Sequence, residues 1–332
     1  MSAPERRPGQ GRVLAWQLID RLGAIAILIV ILIGMSIAYA DFVTVDNMLT
    51  IGVQATTRAI LAIGVTLVII SGGIDLSVGT GMSLCMVVMG VFSIYWEQSM
   101  VLAGAMALAT GAAIGLVNGL IITFGGLPPF IATLGMLGIA QGIALLLSEG
   151  YSMYGFPAEF EFVAGGSVAG IPLPLLILAA IGLLMLYVFQ QSRIGRYAYA
   201  IGGSEEASRR SGIGVTGYKI AIYVTCGLMV GASSIVLASR INSAHPGIGF
   251  GYELDAIAAA VIGGASLQGG RGSVGGAIIG AIIMATIRFG LNVLGMSPFV
   301  QQIVIGVILI AAVYLDTLRV KQEVRLSRLR AH

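Results

Sequence analysis

The sequence predicts an all-α membrane protein with about ten transmembrane helices, broken or re-entrant segments and pseudo-duplicated halves. Three observations point there: too little charge to clothe the apolar residues in water, a succession of apolar runs of bilayer length, and two glycine-rich interruptions that echo each other. Of 332 residues, 57% are hydrophobic and 10% charged, against roughly 25% charged in an ordinary soluble domain. A soluble core this apolar needs a polar shell that the chain does not supply, whereas lipid asks for none. The 48 glycines exceed the soluble average of about 7% and predict helices whose backbones approach closely.

Crossing a hydrocarbon core of about 30 Å takes roughly 20 apolar residues in a helix. The candidate spans run Leu22–Tyr39, Ile51–Ile70, Leu76–Tyr95, Val101–Phe124, Phe130–Leu147, Pro172–Gln190, Lys219–Ala238, a short Leu254–Leu267, Val274–Leu294 and Phe299–Asp316. Lysine and arginine mark cytoplasmic connections, and 14 of the 18 basic residues fall in three clusters. Arg6, Arg7, Arg12 and Arg21 precede the first span. Arg193, Arg196, Arg209, Arg210 and Lys219 border the loop after the sixth, and Arg319, Lys321, Arg325, Arg328 and Arg330 form the tail. Even numbers of spans separate the clusters, so all three share one side. The other side carries Asp41, Asp46, Glu97, Glu149, Glu159 and Glu161, with His245 and Glu253 after the seventh span.

The expected organisation is therefore a cytoplasmic segment 1–21, a transmembrane region 22–316 with a cytoplasmic loop 191–217, and a basic cytoplasmic tail 317–332, in a multi-pass protein of the bacterial inner membrane. Ala38-Tyr39-Ala40 before Asp41 has the form of a signal-peptidase site. The apolar run before it is longer than a usual signal core and nine spans follow, so the first span is expected to stay as an anchor.

Several chemistries are excluded. Cys85 and Cys226 lie far apart in apolar segments without metal-ligand spacing, and read as small buried hydrophobes. His245 and His332 are too separated for an acid–base pair, and neither a nucleophile with its base nor a dinucleotide fingerprint occurs. The arginines sit beside apolar spans rather than among exposed aromatics, which argues against nucleic acid as a partner. No enzymatic activity, metal or bound cofactor is expected of the chain.

The first interruption, Ser71-Gly72-Gly73-Ile74-Asp75-Leu76-Ser77-Val78-Gly79, places a carboxylate in apolar surroundings. An aspartate at a helix centre costs about 2.5 to 3.5 kcal/mol on insertion scales, so Asp75 must face protein or water. Gly72, Gly73 and Gly79 let the backbone break there, leaving Asp75 either to cap the next half-helix or, with Ser77, to act as a gate. The second interruption, Gly263 to Gly275, repeats the apolar run, the Gly-Gly pair, the short polar step and Ser-Val-Gly. It lacks the Lys-Ser/Thr of a phosphate loop, so the chain is not expected to bind ATP. Corresponding breaks in two halves are a mark of duplicated transport folds.

In the 191–217 loop, Ser204 reads as the N-cap of a short helix. Glu205, Glu206 and Ala207 follow, Arg209 and Arg210 favour its C-terminal end, and Gly212 stops it. The plain reading is a solvated connector; the functional one is a docking helix for a cytoplasmic motor.

Taken together these residues resemble the permease family of bacterial ABC importers for ribose, xylose, arabinose and related sugars. The resemblance covers nearly the whole chain. Gly72 to Gly79 carries it most specifically, with Asn118-Gly119, Pro128 to Gly135, Ile201 to Ala207, Leu254 to Ala259 leading to Gly263 to Ser266, and Asn292 through Phe299. It implies a type II ABC importer-like fold and pairing with a second permease copy or paralogue. It also implies a cytoplasmic ABC ATPase holding ATP and magnesium, and a periplasmic or lipid-anchored sugar-binding protein delivering a monosaccharide. The loop helix then resembles the coupling element EAA-x-x-x-G, with Ser208 in place of the second alanine.

Hydroxyl-rich cargo needs hydrogen-bond partners once it leaves water. Gln54, Asn118, Thr133, Gln141, Asn292 and Gln301 are therefore candidates for its path, although bonds between helices that hold the bundle together account for each of them more readily. Arg288 is either a path residue or the partner of Asp255 or another acid. The rival from another class is an ion-coupled secondary carrier with its cation at Asp75. A membrane scaffold without transport is the third reading.

Overall fold

The computed structural model describes residues 10–330, so Arg6, Arg7 and His332 lie outside the described residues. The helices are α1 (Gln10–Ala38), α2 (Val45–Ile70), α3 (Val78–Gly90), α4 (Met100–Thr123), α5 (Pro129–Leu147), α6 (Ala158–Gly165), α7 (Leu173–Gln191), α8 (Arg193–Gly203), α9 (Glu205–Arg210), α10 (Val215–Ile241), α11 (Tyr252–Ile262), α12 (Val274–Val293) and α13 (Pro298–Arg330). A π-helical turn, Val91–Tyr95, continues α3. Strands are minimal: β1 (Met153–Tyr154) pairs antiparallel with β4 (Ser243–Ala244), and β2 (Ser167–Val168) with β3 (Ile171–Pro172). The β2–β3 hairpin and the β1–β4 pair lie at one end of the bundle, the hairpin end, and α8 and α9 at the other, the basic end.

Among the described residues eight helices are long and apolar enough to cross a membrane: α2, α3 with its π turn, α4, α5, α7, α10, α12 and α13 as far as Leu318. The apolar part of α1, Gly23–Ala38, matches the expected first span. The expected eighth span needs correction. Its helix, α11, stops at Ile262, and 11 residues rise only about 16 Å. Gly264 leaves the helix with φ +91°, a left-handed conformation that glycine alone adopts without cost. The remaining depth is crossed by the loop Ser243 to Gly251, held inside the bundle by bonds from Gly249 N–H to Ser83 Oγ (2.8 Å) and from Gln141 Nε2 to the Pro246 carbonyl (3.2 Å). This segment is thus half loop and half helix.

Helix starts follow side-chain caps. Thr44 accepts from the Asn47 amide ahead of α2, Ser99 from Leu102 ahead of α4, and Ser273 from Gly276 ahead of α12. Pro129 opens α5, where its missing N–H has no intrahelical partner to lose. Burial sorts the bundle: α2 is buried from Ala55 to Ile70, whereas α4, α5, α7 and α13 turn most of their surface outward. The apolar residues left on those outer helices, among them Leu146, Leu183 and Ile310, are what a lipid-facing surface requires.

The most extensive helix packing is between α4 and α10. A Cβ built on Gly111 would stand 2.1 Å from the Gly227 carbonyl oxygen, and one on Gly115 the same distance from that of Tyr223. The expectation of glycine-mediated contact holds here in its strict small-xxx-small form. Cys85 and Cys226 are both free and buried, as expected of small core residues.

Candidate functional site

The first break begins where Ser71 ends α2 and Gly72 takes φ +81°. Asp75 Oδ1 accepts from the backbone amide of Ser77 (2.9 Å) and from its hydroxyl (2.6 Å). Asn118 Nδ2 donates to Ser77 Oγ (2.9 Å), and Thr133 Oγ1 donates to the Ile74 carbonyl (3.1 Å). Ser77 is the N-cap position of α3, and its side chain makes no capping bond. Asp75 therefore holds the start of α3 through the Ser77 amide rather than through the amides beyond it. It folds the approach to the helix as an aspartate turn, two residues ahead. Gly73 and Gly79 allow this compaction: a Cβ on Gly73 would meet Tyr223 Oη at 2.5 Å, and one on Gly79 the Gly249 carbonyl at 2.4 Å. The start of α3 and the Gly249 loop thus touch inside the bundle.

The second break meets the first at the basic end. Gly270 N–H donates to the carbonyl of Ile70, the last residue of α2 (2.8 Å). Gly202 of α8 lies in the same knot, with the Ile70 oxygen 1.8 Å and the Gly270 nitrogen 2.6 Å from where its Cβ would be. Tyr199, one turn earlier on α8, donates its hydroxyl to the Gly272 carbonyl (2.8 Å). Both interruptions and the amphipathic α8 are therefore joined backbone to backbone.

α9 hangs directly from this knot. Ser204 ends α8 and caps α9, its Oγ accepting from the Ala207 amide (3.2 Å). Glu205 pairs with Arg209 (2.8 Å) and, from outside the helix, with Lys219 of α10 (2.6 Å); Glu206 pairs with Arg210. Six residues do not hold a helix alone in water, so the cap, the pairs and buried Ser208 hold this one. Gly212 follows with φ +80° and turns the chain into α10.

The hydrogen-bonded ammonium of Lys219 holds the Glu205 carboxyl below its ordinary value of 4.5, with Arg209 assisting and partial burial opposing. A depressed carboxylate contributes stability that is full above its unfolded value and is lost as pH falls through the folded one. Amide-exchange protection of α9 is therefore expected to be constant from pH 7 to 5 and to decline only below about 4.5. Lys219→Met should shift that decline to higher pH, which hydrogen-exchange mass spectrometry on both proteins would measure.

At mid-bundle lies an ion cluster. Asp255 of α11, fully buried, accepts from Arg58 Nε of α2 (2.9 Å) and from Arg288 Nε and Nη2 of α12 (both 2.9 Å). Arg58 also donates to the Gln54 carbonyl (3.2 Å) and stacks over the Tyr252 ring. Arg288 is therefore the partner of Asp255. Arg58 is a residue that sequence reasoning missed, although a four-residue spacing of Asp46, Thr50, Gln54 and Arg58 along one helix face was there to be read.

The expected path residues are dispersed. Asn118 and Thr133 serve the first break, Gln141 holds the loop before α11, and buried Gln301 donates to the Met296 carbonyl (3.1 Å). Asn292 is exposed near the end of α12. Gln54 alone of the six lines the outer cavity, one formed beside α2 at the hairpin end.

This geometry can be set beside known proteins. Residues 47–313 match the family described as branched-chain amino acid transport system / permease component. The chain is 41% identical over 307 residues to the ribose import permease protein RbsC of Escherichia coli, covering 91% of this chain and 94% of that one. The RbsC of Bacillus subtilis is 37% identical over 324 residues, covering 95% and 98%. The D-allose transport system permease protein AlsC of Escherichia coli is 35% identical over 300 residues, covering 90% and 92%. With eight membrane-length helices, two joined breaks and a match over most of its length, the chain belongs to this family of transport-system permeases.

Proposed function

We propose that this permease is the membrane-spanning subunit of an ATP-driven importer that carries a monosaccharide or a related small polyol across the bacterial inner membrane. One observation carries the reading: a capped, charge-paired helix, α9, is tied through Gly202 to both interruptions of the membrane-spanning bundle. A motor pressing on α9 thereby reaches the two places where the spans are weakest. The names of the relatives, two of them ribose permeases and one an allose permease, support a sugar as cargo.

On this reading the basic end and both termini are cytoplasmic, and α9 docks a separate ABC ATPase that binds ATP and magnesium. A second permease copy or paralogue pairs with this chain in the lipid, and a periplasmic or lipid-anchored binding protein delivers sugar at the hairpin end. Hydrolysis in the partner moves α9 and rocks the bundle between outward and inward openings. An ion-coupled carrier centred on Asp75 is less well supported, because that carboxylate already accepts two bonds from Ser77.

Uptake in vesicles decides the matter. Transport should survive collapse of ion gradients and stop without ATP or the ATPase. Glu206→Lys, which reverses an exposed charge on α9, should cut uptake at least tenfold while the permease folds and ATP hydrolysis continues. Unchanged uptake by that variant would refute the docking role of α9.

A further inference from the structure

A cavity of about 670 Å³ opens beside α2 at the hairpin end, within the range of roughly 300–1,000 Å³ usual for small-ligand sites. Its polar wall is built by Asp46, Thr50 and Gln54, one helical turn apart along α2. Arg240, from the last turn of α10, and the Gly165–Ser167 backbone complete it. Depth is graded: Asp46 and Thr50 are exposed, Gln54 and Arg240 half-buried, and Arg58, one turn further along the same face, is buried in its bond to Asp255.

Two details indicate what the cavity takes. Arg240 brings a guanidinium to the wall, and its Nη1, shielded from solvent without a hydrogen-bond partner, gains an acceptor only when the side chain turns toward the cavity. Charge is balanced, with one guanidinium and one carboxylate on the wall. An anion meets Asp46 and a cation meets Arg240, whereas a neutral molecule bearing several hydroxyls donates to one and accepts from the other. Gln54 and Thr50, each able to donate and accept, suit the same chemistry.

Resting on the importer reading, we propose that this cavity is where the sugar lodges on entering from the hairpin end, held by Arg240 and Gln54. The Arg58–Asp255–Arg288 bridge closes the floor one turn below. The site gives Arg240 a role in binding, and it places Asp46 and Thr50 at the mouth rather than along the full path.

The test uses the assembled transporter in proteoliposomes, with D-ribose, D-allose and D-galactose as probes. Gln54→Cys and Thr50→Cys are exposed to a membrane-impermeant thiol reagent from the hairpin side, the native Cys85 and Cys226 being buried. At least one sugar should slow labelling of Gln54→Cys fivefold or more, and leave labelling of Ser99→Cys, outside the cavity, unchanged. Separately, Gln54→Ala and Arg240→Gln should move at least tenfold less sugar per ATP hydrolysed at saturating loaded binding protein, and Arg240→Lys should recover part of it. Equal labelling with and without every sugar, or wild-type sugar-to-ATP ratios in both variants, would overturn the proposal. If the wild-type assembly does not import with ATP but a sugar still protects Gln54→Cys, the importer reading fails and the cavity assignment stands.

Discussion

Asp255→Ala should be the most destabilising single substitution in this chain. It leaves the guanidinium of Arg58, buried in the bundle, and that of Arg288, partly so, without their shared counter-charge. Removing one partner of a buried ion pair costs about 3–5 kcal/mol, because the remaining charge stays desolvated. Thermal unfolding in detergent should show a much lower midpoint and the membrane yield should fall. Replacing all three residues by apolar ones of similar size, Arg58→Met with Asp255→Leu and Arg288→Met, should restore most of the midpoint, since no charge is then stranded. A single variant with wild-type stability, or a triple variant no better than the single, would show that the bridge does not hold the bundle. Comparing stability with uptake separates two roles: a purely structural bridge predicts that the triple variant also transports, and a working floor beneath the outer cavity predicts that it does not.

The second large effect is expected at Gly202, with Gly203 as its control. Alanine at Gly202 puts a methyl carbon 1.8 Å from the Ile70 oxygen, a distance that forces backbone apart because neither side is a flexible side-chain end. Alanine at Gly203 meets nothing within 4 Å. Gly202→Ala should therefore lower ATP-driven uptake by tenfold or more, while Gly203→Ala transports normally. Tyr199→Phe, which removes only the bond to the Gly272 carbonyl, should fall between them. Equal uptake by the two glycine variants would mean that α8 does not transmit motion through this knot.

Much of this arrangement was legible in the chain. The Gly72-Gly73 and Gly263-Gly264 pairs marked both breaks, and Ser204 with its following glutamates and arginines marked α9, because caps, charges and left-handed glycines act within a few residues. What escaped is decided by distant parts. The run Leu254–Leu267 looks continuous in hydropathy, and only the Ser83 and Gln141 side chains holding the preceding loop show that half the crossing is not helical. Arg58 sits in an apolar run with its partner 197 residues away, so no local window contains the reason it is tolerated. Asp75 was read as residing in a break, either as a cap or as a gate, and the Asp-x-Ser spacing already allowed the tight turn that its bonds to Ser77 form.

The 197-residue interval between Arg58 and Asp255 also bears on how the protein is made. At about 5–20 residues per second, the ribosome finishes α2 roughly 10 to 40 s before it produces the carboxylate that neutralises it. Throughout that interval the nascent α2 carries an unmatched cation, so the insertion machinery or water must shelter it. Chains truncated after α10 lack Asp255 altogether, and would present an unmated arginine to membrane quality-control proteases. The bundle can close around α2 only at the end of synthesis, when α11 and α12 arrive together.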